Sequence, residues 1–125
     1  MAKILIVDDS PTILQVVSSA LQEHGYDVIM AANGEEGLRK AIEGRPDLVL
    51  LDVMMPGLNG YEVIRKLRQV SQVPVIMVTA KEEKYLGGLF SLERISGWVE
   101  KPFEITQLLE KVTATLGATK NIAPS

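Results

Sequence analysis

No cysteine occurs among the 125 residues. Disulfides, zinc–thiolate centres and thiol catalysis are therefore all excluded, and a reducing cytoplasm suits the chain. The apolar run nearest the start, Ile4-Leu5-Ile6-Val7, is closed by carboxylates. It is too short for a signal-peptide core or a membrane span, which points to a cytoplasmic protein with no membrane partner. A surplus of positive charge is also missing: 13 Lys and Arg face 16 Asp and Glu, for a net charge of -3. General attraction to nucleic acid or anionic lipid is not expected from such a balance. P-loop and glycine-rich dinucleotide fingerprints are absent, as are internal repeats and low-complexity tracts. What is present is an ordinary globular composition, 46% hydrophobic and 23% charged. That is enough for one domain with its own core, expected over residues 1–118, with 119–125 as a flexible tail.

Two kinds of segment alternate along the chain. Ile4–Val7 is a continuous, β-branched apolar run, as expected of a strand buried on both faces. Ser10-Pro11 opens a helix, serine as N-cap and proline at the first helical position. Its apolar stripe is Ile13, Leu14, Val16, Val17, Ala20 and Leu21, and His24-Gly25 marks its end. His24 there answers the helix dipole. Val28–Ala31 reads as a second strand. Asn33-Gly34 turns into a helix with Leu38, Ala41 and Ile42 inward, ending near Gly44. Leu48–Leu51 is a third strand closed by Asp52, and Pro56-Gly57 with Asn59-Gly60 marks a tight loop. Tyr61, Val63, Ile64 and Leu67 give the next helical face, and Val75–Thr79 a fourth strand. Residues 81–96 contain Gly87-Gly88, each costing a helix interior about 1 kcal/mol relative to alanine. A helix there is expected to be short or loosely held. Gly97–Glu100 is a short fifth strand, and Glu104–Leu116 a final helix stopped by Gly117. Alternating strands and helices with short connections predict a doubly wound α/β fold, about five parallel strands with helices on both faces.

In such sheets ligands gather at the carboxyl ends of the strands. Strand one ends in Asp8-Asp9, strand three in Asp52, strand four in Thr79, and strand five leads into Lys101-Pro102. If strands one and three are neighbours, as in the order 2-1-3-4-5, three carboxylates converge on one crevice. Unit charges about 4 Å apart repel by roughly 4 kcal/mol at an effective dielectric of 20, so the cluster must take up protons or a divalent cation. Oxygen ligands without sulfur or histidine suit a hard ion such as Mg²⁺. A single aspartate after a strand is commonly a helix cap, but Ser10 already caps the first helix. Asp52, for its part, lies several residues before its own helix. Lys101 taken alone is a solvated lysine before a proline turn. In this company it is an ammonium able to reach an anion held near Asp52. Its direction is fixed by the proline that follows, and Pro102 is a candidate for a cis bond.

Ile4–Ser10, Leu50–Gly60, Val78-Thr79-Ala80 and Glu100-Lys101-Pro102-Phe103 stand in the order and spacing of a known family. The chain resembles the receiver domain of two-component response regulators, in the layout of single-domain, CheY-like members, over residues 3 to 117. The resemblance implies the 2-1-3-4-5 strand order. It also implies that Asp52 accepts a phosphoryl group from a sensor histidine kinase or phosphotransfer protein. Asp8, Asp9, Asp52 and the Met54 backbone carbonyl would hold Mg²⁺. Lys101 and Thr79 would contact phosphoryl oxygens, and the small Ala80 would leave room for the group to enter. Thr79 and Trp98 would form the switch that reports phosphorylation. The family more often has tyrosine or phenylalanine where this chain has Trp98, and a Gly-Ala pair where it has Arg94-Ile95. Such a protein is a signalling switch rather than an enzyme, although it catalyses its own Mg²⁺-dependent phosphorylation and dephosphorylation. It is a monomer or weak dimer without direct nucleic-acid contact. It meets its target through the face made by the helix predicted over 81–96, the fifth strand and the final helix.

Three alternatives compete. A flavodoxin-type flavin module needs a hydroxyl- and amide-rich loop after strand one, where Asp8-Asp9 would repel a phosphate. A haloacid-dehalogenase-type phosphatase places a second aspartate where Met54 stands. A receiver can also serve as a phosphorylation-independent interaction module, or be one excised from a larger DNA-binding regulator.

Overall fold

In the computed structural model, residues 2–80 and 95–122 are described. The strands are β1 (Lys3–Val7), β2 (Asp27–Ala31), β3 (Leu48–Asp52), β4 (Val75–Ala80) and β5 (Gly97–Lys101). The helices among the described residues are α1 (Pro11–Glu23), α2 (Gly34–Glu43), α3 (Gly60–Arg68) and α4 (Ile105–Ile122). The strands form one parallel sheet in the order β2-β1-β3-β4-β5, as expected.

Alternation along each strand divides the core in two. Leu5, Val7, Val49, Leu51, Val75 and Met77 point to one face and meet Ala41 of α2 and Val63, Ile64 and Leu67 of α3. Ile4, Ile6, Leu48, Leu50, Ile76 and Val99 point to the other and meet Val17 and Leu21 of α1 and Leu108, Val112 and Leu116 of α4. Because both faces are covered, the central strands carry continuous apolar runs rather than an alternating pattern.

The helix starts follow local chemistry. Ser10 Oγ accepts from the Ile13 amide at 3.3 Å, with Pro11 opening α1. Asn33 caps α2, and Asn59 caps α3 through a reciprocal box with Glu62. At the end of α1 the His24 ring lies 3.0 Å from the Ala20 carbonyl, and Gly25 turns the chain with φ 87°.

Three expectations need correction. Gly117 does not stop the last helix, which continues through residues 119–122 of the presumed tail to Ile122. Its φ is not positive, so it does not adopt the left-handed conformation through which glycine most often terminates a helix. Val16 is 47% exposed, because α1 meets the sheet along Val17, Ser18 and Leu21. Ile42 is 45% exposed: α2 packs through Gly34, Gly37 and Ala41, a narrow stripe that turns Ile42 aside. The helix expected over 81–96, with Gly87-Gly88 and Arg94, lies outside the described residues except for its last two positions.

Candidate functional site

Parallel pairing brings the acids together. Val7 pairs with Leu51 across β1 and β3, so the residues that follow, Asp8 and Asp52, emerge side by side at the sheet's carboxyl edge. One carboxylate oxygen from each of Asp8, Asp9 and Asp52 lies within 4.8 Å of the other two. Asp8 and Asp52 are buried, at 2% and 4% exposure, whereas Asp9 faces solvent. Asp8 has a second task that sequence reasoning missed: its Oδ1 accepts from the Ser10 amide at 2.9 Å. The Asp-x-Ser order was the available signal, since aspartate side chains commonly bond their own backbone two residues on.

The cation arrives from the other side. Ala80 and Lys101 are partners at the end of the β4–β5 ladder, and the Lys101–Pro102 bond is cis. Lys101 Nζ lies 3.2 Å from Asp8 Oδ2 and 3.4 Å from Asp52 Oδ1. Burial works against this ammonium, but Asp52 and Asp8 outweigh it and hold its pKa above the usual 10.5. For Asp52 the balance runs the other way. Burial first, and the Asp8 carboxylate second, raise its pKa from 3.8 to about 7, against the pull of Lys101. One ammonium does not neutralise three carboxylates, and Asp52 bears the cost.

The remaining predicted residues are placed as follows. Thr79 is fully buried on β4, and Asp52 pairs with Val78 one position before it. Trp98 pairs with Met77 and Glu100 with Thr79, so Trp98 and Thr79 share a sheet face. Trp98 is half-buried against the α2–α3 core. Met54 follows β3 with its side chain 60% exposed, while Met55 is buried. Ala80 closes β4.

The donor set fits a hard divalent ion. Three carboxylates offer only oxygen, sit close enough for one ion to span with water, and carry charge that Lys101 leaves uncompensated.

A doubly wound sheet carrying this acidic triad and lysine defines a class, and comparison with known proteins agrees. The profile of the response regulator receiver domain matches residues 4–113. The chain belongs to that family, a receiver domain of two-component signalling. It is 39% identical over 119 residues to Protein PilH of Pseudomonas aeruginosa, covering 93% of this chain and 98% of that one. It is 41% identical over 124 residues to the alkaline phosphatase synthesis transcriptional regulatory protein PhoP of Bacillus subtilis, covering 98% of this chain. Here it spans only about half of the relative, 52% of PhoP. Among solved structures, chemotaxis protein CheY4 of Vibrio cholerae superposes with a TM-score of 0.86 at 37% identity, covering 92% of this chain and 98% of that one. Among the described residues no helix is long and apolar enough to cross a membrane.

Proposed function

We propose that Asp52 accepts a phosphoryl group from a histidine phosphodonor, and that the chain is a signalling switch rather than an enzyme acting on a separate substrate. The observation that carries this reading is Asp52 itself. It is a buried strand-end carboxylate with Asp8 beside it and an ammonium 3.4 Å away. In the transfer, an Asp52 carboxylate oxygen attacks phosphorus, the P–N bond to the donor imidazole breaks, and an acyl phosphate remains. Phosphoryl transfer asks the protein mainly for position and charge neutralisation. Lys101 supplies a positive charge to a phosphoryl oxygen, and the Thr79 hydroxyl donates to another. Asp8, Asp9, Asp52 and the Met54 carbonyl are the residues that would hold Mg²⁺, which when bound neutralises phosphoryl charge.

The donor must bring its phosphohistidine to this edge of the sheet. A groove of about 410 Å³ lined by Ile13, Val16, Val17, Pro102, Phe103 and Ile105 opens beside Lys101. Its apolar lining suits a protein surface and accounts for the exposed Val16. After transfer, the added charge of about -1.5 to -2 draws Thr79 toward the phosphoryl oxygens and frees space for Trp98 on the same face. The output surface is then read along β5 and α4 by a downstream protein.

The test is incubation with MgCl₂ and acetyl phosphate or phosphoramidate, followed by intact-mass analysis. A gain of one phosphoryl group that vanishes in Asp52→Ala supports transfer. No gain at any Mg²⁺ concentration leaves a phosphorylation-independent interaction module.

A further inference from the structure

The segment between Asp52 and α3 carries Met54, the proposed backbone ligand, so whatever fixes this loop fixes the metal geometry. Three contacts hold it. At its far end, Gly60 donates its amide to the Val53 carbonyl at 2.8 Å. A Cβ on Gly60 would lie 2.4 Å from the Asp52 carbonyl oxygen. In the middle, Met55 is buried in the core. The third contact comes from a distant element. At the first position of α2, a Cβ on Gly34 would lie 2.1 Å from the Leu58 carbonyl oxygen and 3.0 Å from the Leu58 Cβ. Both oxygen contacts are with main chain, which cannot swing away as a side chain would.

We propose that Gly34 is a positioning residue for metal binding: lacking a side chain, it lets the start of α2 abut the Leu58 carbonyl and so sets the loop that presents Met54. This rests on the Mg²⁺ reading above. Any side chain at 34 must push the loop and helix apart by about 1 Å to restore an ordinary contact. Mg²⁺ demands near-octahedral oxygens at about 2.0–2.1 Å, whereas Ca²⁺ accepts irregular shells at about 2.3–2.6 Å. A displaced loop therefore penalises Mg²⁺ more than Ca²⁺. General damage to the fold has no reason to discriminate between them.

The experiment is calorimetric titration of the full chain and of Gly34→Ala with MgCl₂ and with CaCl₂. Gly117→Ala serves as control, since a Cβ there meets nothing within 4 Å. Mg²⁺ affinity in Gly34→Ala is expected to fall about tenfold, the scale of lost support around a metal site, with a smaller loss for Ca²⁺ and no change in Gly117→Ala. Unchanged affinity for both metals, or equal losses for both, overturns the positioning role while leaving the metal reading intact. Absence of Mg²⁺ binding by the unmodified chain overturns the metal reading and this inference with it. Should Gly34→Ala fail to fold, a Mg²⁺ titration of the unmodified protein by amide NMR decides. Gly34 and Glu35 resonances are expected to move with the same midpoint as Val53–Leu58, and stationary Gly34 and Glu35 resonances overturn the proposal.

Discussion

Asp52→Asn is expected to stabilise the protein, and to do so only where the parent carboxylate is ionised. The folded pKa of Asp52 is about 7 against an ordinary 3.8. Below pH 3.8 both the folded and unfolded chains hold the proton, and Asp52 contributes no penalty. Between these values the unfolded chain has released the proton while the folded one retains it, so stability falls as pH rises. Above pH 7 the full penalty stands. Each pKa unit corresponds to about 1.4 kcal/mol, so the displacement amounts to about 4 kcal/mol. Asparagine keeps the shape and an acceptor for Lys101 but never ionises. For a domain of this size that gain corresponds to roughly 10–20 °C in Tm. The assay is thermal unfolding by circular dichroism in EDTA at several pH values from 4 to 8. Variant and parent should melt together near pH 4 and separate progressively toward pH 8, and MgCl₂ should narrow the gap. A variant no more stable at pH 8, or stabilised equally at every pH, would refute the assignment of Asp52 as the group bearing the cluster's charge.

Among the described residues Lys101 is the group that lowers the Asp52 pKa, so in Lys101→Met the pH profile of acetyl phosphate labelling should move to higher pH and the rate fall about 100-fold; a profile that stays in place argues against the contact. Trp98 should report occupancy of the site through its fluorescence on binding Mg²⁺ with a phosphoryl mimic, because it shares a sheet face with Thr79. An unchanged spectrum alongside proven binding makes Trp98 a fixed packing residue.

The sheet was legible because its signals are local and redundant. Leu48–Leu51 and Val75–Val78 are apolar without alternation, which only a strand covered on both faces requires, and each acid sits at the edge such runs create. The errors arose where one local rule stood alone. Glycine at 117 suggests a stop by identity alone, but the usual glycine stop takes the left-handed conformation, which Gly117 does not adopt. Val16 and Ile42 fitted a helical period but not the width of the surface they meet. In α2 the contact stripe is Gly34, Gly37 and Ala41, whose apolar signal is weak because they are small.

Gly34 shows why the remainder was not legible. In sequence it is the second half of an Asn-Gly pair, and the turn reading is sufficient. What distinguishes it is the Leu58 carbonyl at 2.1 Å from the atom it lacks, a contact created by packing α2 beside the loop before α3. A side chain's absence carries meaning only through the neighbour that fills its place, and that neighbour lies 24 positions along the chain. The acids differ in this respect, because their charges must be answered by a proton, an ammonium or a metal wherever the fold places them. Chemistry at a strand end can therefore be read from residue type, whereas the tolerances that shape it are properties of the folded backbone. Substitutions at the acids are therefore expected to abolish metal binding outright, while those at Gly34 lower Mg²⁺ affinity more than Ca²⁺ affinity.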